Sequence, residues 1–176
     1  MSQPVSEAQF GRLLSGFERE ALHWEAQGTY DIGIEQAAYE AFLAGRPLPP
    51  SEVDWWQDWL SQVERQVQAG KTMRRVRILD EPHTAYQRFE LWTGPWHAEA
   101  GERIWYLPRA RAQAVNLPLA VDWWLLDGQQ LIVTTFTDGK ITGKELHTDP
   151  AVISFHLSWW HLALSIATPA EELTAV

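Results

Sequence analysis

Residues 121–146 read VDWWLLDGQQLIVTTFTDGKITGKEL, and this stretch decides the fold. Runs of β-branched and aromatic residues at 121–126, 131–136 and 140–146 are separated by Asp127-Gly128 and Asp138-Gly139. Asp-Gly tolerates the positive φ angles of a two-residue hairpin turn, so both corners predict tight antiparallel connections. A three-stranded meander is the centre from which the rest of the chain is read.

Working upstream, residues 103–107 read as a strand ended by Pro108. Residues 71–79 alternate: Val76 and Ile78 face one way, Arg75 and Arg77 the other, and Pro82 stops the run. Residues 84–92 fit two periods. A strand would place Tyr86, Arg88, Glu90 and Trp92 together; a helix capped by Thr84 would group Tyr86, Phe89 and Glu90, and the helix is preferred. Downstream, Asp149-Pro150 joins an N-cap to a proline at the first helical position and opens a last helix to about residue 167.

The N-terminal part reads as helical. Ser6 caps a first helix to about residue 27, with Phe10, Leu13, Leu14, Phe17, Ala21 and Trp24 on one stripe and Gly28 at its end. A second helix covers residues 34–44, with Gly45 just beyond it. Ser51 opens a third, in which Trp56, Trp59, Leu60, Val63 and Val67 form the apolar face and Ser51-Glu52-Val53-Asp54 resembles a capping box. The expectation is one domain over residues 1–176: a helical part at 1–70, a mostly β part at 71–147, a closing helix at 148–167 and a fraying tail at 168–176. Its class is α+β, a two-layer arrangement in which a mainly antiparallel sheet of about 4–5 strands packs against the N-terminal helices and the C-terminal helix.

Composition narrows the function classes. Apolar residues are 45% and charged residues 21%, which is globular rather than disordered. The absence of cysteine removes disulfides, thiolate nucleophiles and cysteine-ligated zinc, and fits a reducing, cytoplasmic setting. The first residues carry no signal-peptide pattern, and no run approaches the roughly 18 apolar residues of a membrane span. Net charge is −9, spread as −7 over residues 1–70, +3 over 71–111 and −5 over 112–176. Such a chain has no general attraction for nucleic acid, so no direct nucleic-acid partner and no membrane are expected.

Most chemical motifs fail on inspection. Residues 139–145, GKITGKE, are one residue short of a phosphate loop, lie on a hairpin, and put Glu145 where a hydroxyl should hold magnesium. His156 and His161 are five apart, about 140° around a helix, so they do not face one metal. There is no Gly-x-Ser-x-Gly elbow. No cofactor, metal or catalytic residue is assigned.

What remains is aromatic and charged. Of eleven tryptophans, three pairs are adjacent: Trp55-Trp56, Trp123-Trp124 and Trp159-Trp160. Neighbours on a helix point about 100° apart, and neighbours on a strand point to opposite faces, so one ring of each pair must leave the main core. Such rings form a packed rim, a partner surface or an aromatic cage for a cation or flat ligand. A polar group of Arg74, Arg75, Arg77, Arg88, Glu90, Glu102, Arg109, Asp122 and Asp127 reads as a salt-bridge network or a binding site. The candidate binding residues are Arg75, Arg77, Arg88, Glu90, Arg109, Asp122, Trp124, Trp159, Trp160 and His161.

Several segments together resemble one family. They are Phe17-Glu18-Arg19-Glu20-Ala21, Tyr30-Asp31, Phe42-Leu43-Ala44-Gly45, RRVRILDEP at 74–82, Tyr86-Gln87-Arg88-Phe89-Glu90, Ala100-Gly101-Glu102 with Leu107-Pro108-Arg109, DWWLLD at 122–127, and Asp149-Pro150. The pattern is similar to an uncharacterised actinobacterial domain-of-unknown-function family, commonly encoded beside helix-turn-helix regulators. The chain departs from it at Ala85, where an acid is usual, at Trp123, where phenylalanine is frequent, and in Trp159-Trp160-His161 of the last helix. The resemblance implies a regulatory, protein-interaction domain whose partner is a helix-turn-helix regulator. The alternative is a small-molecule-binding protein or an enzyme of a specialised biosynthetic pathway, with a Trp/Arg-lined pocket between the sheet and the last helix.

Overall fold

The computed structural model describes residues 2–173. A short strand β1 (Gln3–Pro4) precedes helix α1 (Glu7–Gly16), which Ser6 caps by accepting the Gln9 N–H at 3.2 Å. The chain becomes extended at Phe17 and enters β2 (Glu20–Glu25). Helix α2 (Gln36–Leu43) follows, then a 3-10 turn at Pro50–Glu52 and helix α3 (Asp54–Gln68). No Ser51 capping box forms: Val53 is the N-cap and makes no side-chain bond.

Strand β3 (Thr72–Leu79) leads to α4 (Ala85–Glu99). The ambiguous segment is a helix because Thr84 and Gln87 cap each other: Thr84 Oγ1 accepts the Gln87 N–H at 3.0 Å, and Gln87 Oε1 accepts the Thr84 N–H at 3.1 Å. Strand β4 (Arg103–Pro108), helix α5 (Arg109–Ala114) and the meander β5 (Asp122–Leu126), β6 (Gln130–Thr137) and β7 (Lys140–His147) come next. Both hairpin corners have the left-handed backbone that Asp-Gly allows: φ is 54° and 67° at Asp127 and Gly128, and 50° and 78° at Asp138 and Gly139. Asp127 also accepts the N–H groups of Glu18, Arg19 and Glu20, tying the turn to the start of β2. Helix α6 (Pro150–Ile166) is capped by Asp149, and β8 (Thr168–Pro169) and a 3-10 turn at Ala170–Glu172 follow it.

These strands form one eight-stranded mixed sheet in the order β1-β7-β6-β5-β2-β3-β4-β8. That corrects the expected sheet of four to five mainly antiparallel strands: β2–β3 and β3–β4 are parallel neighbours, and three strands are additional. The largest error lies at residues 20–25, read as the end of a helix. Ala21, Leu22, Trp24, Glu25 and Ala26 are all buried, because helices cover both faces of this central strand. A strand covered on both sides lacks the exposed polar face of a half-buried strand, and only His23 and Glu25, alternating with Leu22 and Trp24, betray it. Strands β1 and β8, two residues each, are too short to carry a period, and β8 pairs with β4 where a fraying tail was expected. Residues 174–176 of that tail lie outside the described residues.

The two-layer expectation also gives way. One face of the sheet packs Leu22, Trp24, Val76, Ile78, Leu107, Trp123 and Leu125 against Ala112 of α5 and Ile153, Trp160 and Ala163 of α6. The other packs Ala21, Met73, Trp124, Leu126 and Ile132 against Leu14 of α1 and Val63 of α3. On this second face β3 also presents Arg75 and Arg77, which apolar packing cannot satisfy.

Candidate functional site

Strand register assembles the site. Parallel pairing of β2 with β3 sets His23 opposite Arg75 and Glu25 opposite Arg77. Antiparallel pairing of β2 with β5 sets His23 opposite Trp124, and the two rings stack with centroids 3.8 Å apart. Alternation puts all five side chains on the α1–α3–α4 face. From above, α4 lowers Glu90, Thr93 and His97, spaced i, i+3, i+7 along one helical face.

The charged groups form a chain. His97 Nδ1 donates to Glu102 Oε2 at 2.8 Å, and Arg75 Nε donates to Glu102 Oε1 at 2.8 Å. Arg75 Nη1 donates to Glu25 Oε1 at 2.6 Å, and Arg77 Nε to Glu25 Oε2 at 2.6 Å. Arg77 Nη2 then lies 3.4 Å from Glu90 Oε1. Every member is buried. Burial alone would raise both Glu25 and Glu102, but Arg75 and Arg77 outweigh it at Glu25, and Arg75 with His97 at Glu102, so both stay ionised. Glu90 has only the longer contact, and burial pushes it up to about 8. Burial also lowers His23 to about 3 and lowers His97, so both imidazoles are neutral.

Between this floor and the helices lies a cavity of about 490 Å³. Small-ligand pockets span about 300–1,000 Å³. Its polar lining comes from His23, Glu25, Arg75, Arg77, Glu90 and Glu35; its aromatic lining from Trp55, Trp56, Trp59 and Trp124, with Tyr30, Tyr86 and Phe89. Tyr86 Oη donates to Glu35 Oε2, whose carboxyl is raised by burial. Tyr30 Oη donates to Asp122 Oδ2 at 2.6 Å, so Asp122 holds one wall from behind. Burial raises Asp122 to about 7 against the bonds from Tyr30 and the Ala26 N–H.

Among the described residues, four buried side-chain polar atoms have no hydrogen-bond partner: His23 Nδ1, Trp56 Nε1, Glu90 Oε2 and Trp123 Nε1. Three of these belong to residues lining the cavity. A native interior leaves few such groups, and each costs about 1–3 kcal/mol. The cavity thus offers an acceptor or acid at Glu90, a neutral imidazole and an indole donor within aromatic walls.

Of the sequence candidates, Arg75, Arg77, Glu90 and Trp124 meet in the cavity, and Asp122 supports it. Arg88 is exposed and bonds the His83 carbonyl. Arg109 pairs with Asp80 at 2.5 Å and with the Ala26 carbonyl at 2.7 Å, outside the cavity. Trp159, Trp160 and His161 lie on the opposite side of the sheet: Trp160 is in the core, Trp159 is half-buried and His161 is exposed. There Trp160 meets Trp123 edge-on at 5.9 Å, within the buried core under α6. Sequence reading did not select His23, Glu25, Glu35, His97 or the tyrosines. The period-2 placement of His23 and Glu25 was the available signal, hidden by the helical reading of that segment. Among the described residues, no group of His, Asp and Glu could hold a metal ion, and no helix is long and apolar enough to cross a membrane.

Fold and site together define an α+β domain with a hollow, charged face. The profile of the family described as Domain of unknown function (DUF6879) matches residues 8–175, and the chain belongs to that family. No curated protein matches the chain.

Proposed function

We propose that the domain binds a small molecule in the cavity between the sheet and helices α1, α3 and α4. The observation that carries this reading is the concentration of unpartnered buried polar atoms on residues lining one aromatic cavity. Unmade hydrogen bonds are costly in a finished core and useful in a binding site, where a ligand completes them. The pocket differs from the one expected at the last helix, since the side chains under α6 form a packed core. The test is a fragment screen read by the indole N–H signals in NMR. Hits should move Trp56 and Trp124 and leave Trp123 and Trp160, on the closed face, in place. Absence of any hit at the cavity rejects the reading.

A second reading, a regulatory domain binding a helix-turn-helix regulator in an actinobacterial cytoplasm, draws on the outer face of α6. Phe155 is 64% exposed and Leu162 38%, and the half-buried Trp159 ring lies 6.4 Å from Phe155. These residues are spaced i, i+4, i+7, the pattern of a helix that docks. Co-purification of such a regulator, abolished by Phe155→Asp with Leu162→Asp, supports it; undiminished co-purification removes α6 from the account.

A further inference from the structure

Resting on the small-molecule reading, we propose that the ligand is an organic cation: an amine or guanidine whose charged end meets Glu90 and Glu35 and whose apolar body lies among the cavity tryptophans. The argument is one of unspent valence. Arg75 and Arg77 are the guanidiniums on the floor; Arg75 is engaged by Glu25 and Glu102, and Arg77 by Glu25, at 2.6–2.8 Å. Glu90 and Glu35 are left over. Glu90 is 6% exposed, its Oε1 is 3.4 Å from Arg77, and its Oε2 has no partner. Glu35 accepts from the Tyr86 hydroxyl, a neutral donor.

The two guanidiniums therefore serve Glu25 and Glu102 at 2.6–2.8 Å and Glu90 only at 3.4 Å, and Glu35 forms no ion pair among the described residues. An anionic ligand would find both arginines occupied and two further carboxyl groups beside it. A cation meets those groups and also the faces of aromatic rings, which attract positive charge. A proton on Glu90 and a cation beside it are alternatives, consistent with its carboxyl being pushed up to about 8. The titratable groups whose charge acts on Glu90 are Arg75 and Arg77 on β3, Glu25 on β2, Tyr30 and Glu35 between β2 and α2, Tyr86 on α4 and Tyr106 on β4. Arrival of a cation displaces that proton to solvent.

The experiment uses the full chain and a fragment library with equal numbers of amines, neutral compounds and carboxylates. It is followed by calorimetry with 2-phenylethylamine, 2-phenylethanol and 3-phenylpropionate. Cavity hits should be mostly amines, and 2-phenylethylamine should bind about tenfold or more tightly than the alcohol. Its binding heat near neutral pH should vary with buffer ionisation enthalpy as a proton is released. Glu90→Gln should cost the amine about tenfold and leave the alcohol unchanged, and Glu35→Gln serves the same purpose if the first variant fails to fold. Cavity hits that are mainly neutral or acidic overturn the cation assignment and leave the pocket standing, as does unchanged amine affinity in the variants. No hit of any charge overturns both.

Discussion

The two faces of the central strands are made of the same backbone and do opposite things. On the α6 side, Trp24 and Trp123 stack with centroids 5.9 Å apart, Trp160 closes on Trp123, and Ile78 and Leu107 are fully buried. On the other side the next residues along, His23, Arg75, Arg77 and Trp124, border about 490 Å³ of space. Alternation along a strand sends neighbours to these two destinations, so one face stabilises the fold while the other is free to carry charge. Burying two guanidiniums and their carboxylates is at best neutral for stability compared with apolar packing. The buried guanidiniums lie on one face, the face proposed above to bind a ligand.

The comparison breaks first, and most visibly, on the closed face. Trp160→Ala empties the centre of the α6 packing and should cost about 4–5 kcal/mol, measured by denaturant unfolding. A loss below about 1 kcal/mol would mean that face is not the stabilising one. On the hollow face the largest effect is electrostatic. Arg77→Met leaves Glu25 with one guanidinium and Glu90 with none, at an expected cost of about 3–4 kcal/mol. Adding Glu25→Gln should recover part of that loss, because the uncompensated charge goes with it. A double variant no better than the single one would mean Arg77 acts through packing.

Local signals on both faces were legible in the sequence, and their assembly was not. The Asp-Gly corners, the Thr84 cap and the alternation of Arg75 and Arg77 with Val76 and Ile78 are local signals, and each appears in the structure as read. The tryptophan pairs were also informative. Trp123 and Trp160 sit in the core under α6 with the half-buried Trp159 against it, while Trp55 and Trp56 line the cavity and Trp124 is shared between the cavity and the core of that face. The cavity was not legible, because its parts come from α1, β2, residues 30–35, α3, β3, α4 and β5, and only the parallel register of β2 on β3 brings Glu25 to Arg77. Parallel pairing joins residues about fifty apart with no turn to announce it. Once β2 was taken for helix, His23 and Glu25 had no reason to be grouped with the arginines.

A smaller effect separates the faces by pH. Glu90 is raised from 4.5 to about 8, so between those values the folded state holds a proton that the unfolded chain has released. Stability attributable to this group therefore falls as pH rises from about 4.5 to about 8, and is level above that. Glu90→Gln keeps the shape and removes the titration. Relative to the natural chain it should gain stability on going from acid to about pH 9, read from paired unfolding curves. A constant difference across that range would mean that Glu90 titrates alike in the folded and unfolded chain, and would remove the proton from the cation argument.

The smallest stability effect should come with a clear functional one. Trp55 is half-buried at the cavity wall, stacked on Trp56 at 5.8 Å with an 8° tilt. Because one side of its ring already faces space, Trp55→Ala removes few contacts and should cost under about 1 kcal/mol in unfolding. The same change deletes an aromatic wall of the proposed cation site, so 2-phenylethylamine affinity should fall by a factor of several while stability holds. Its counterpart across the sheet, Trp160, carries the opposite ratio: a large stability cost with the cavity lining untouched. If Trp55→Ala instead destabilises as Trp160→Ala does, the hollow face is part of the core after all, and the division of labour between the two faces fails.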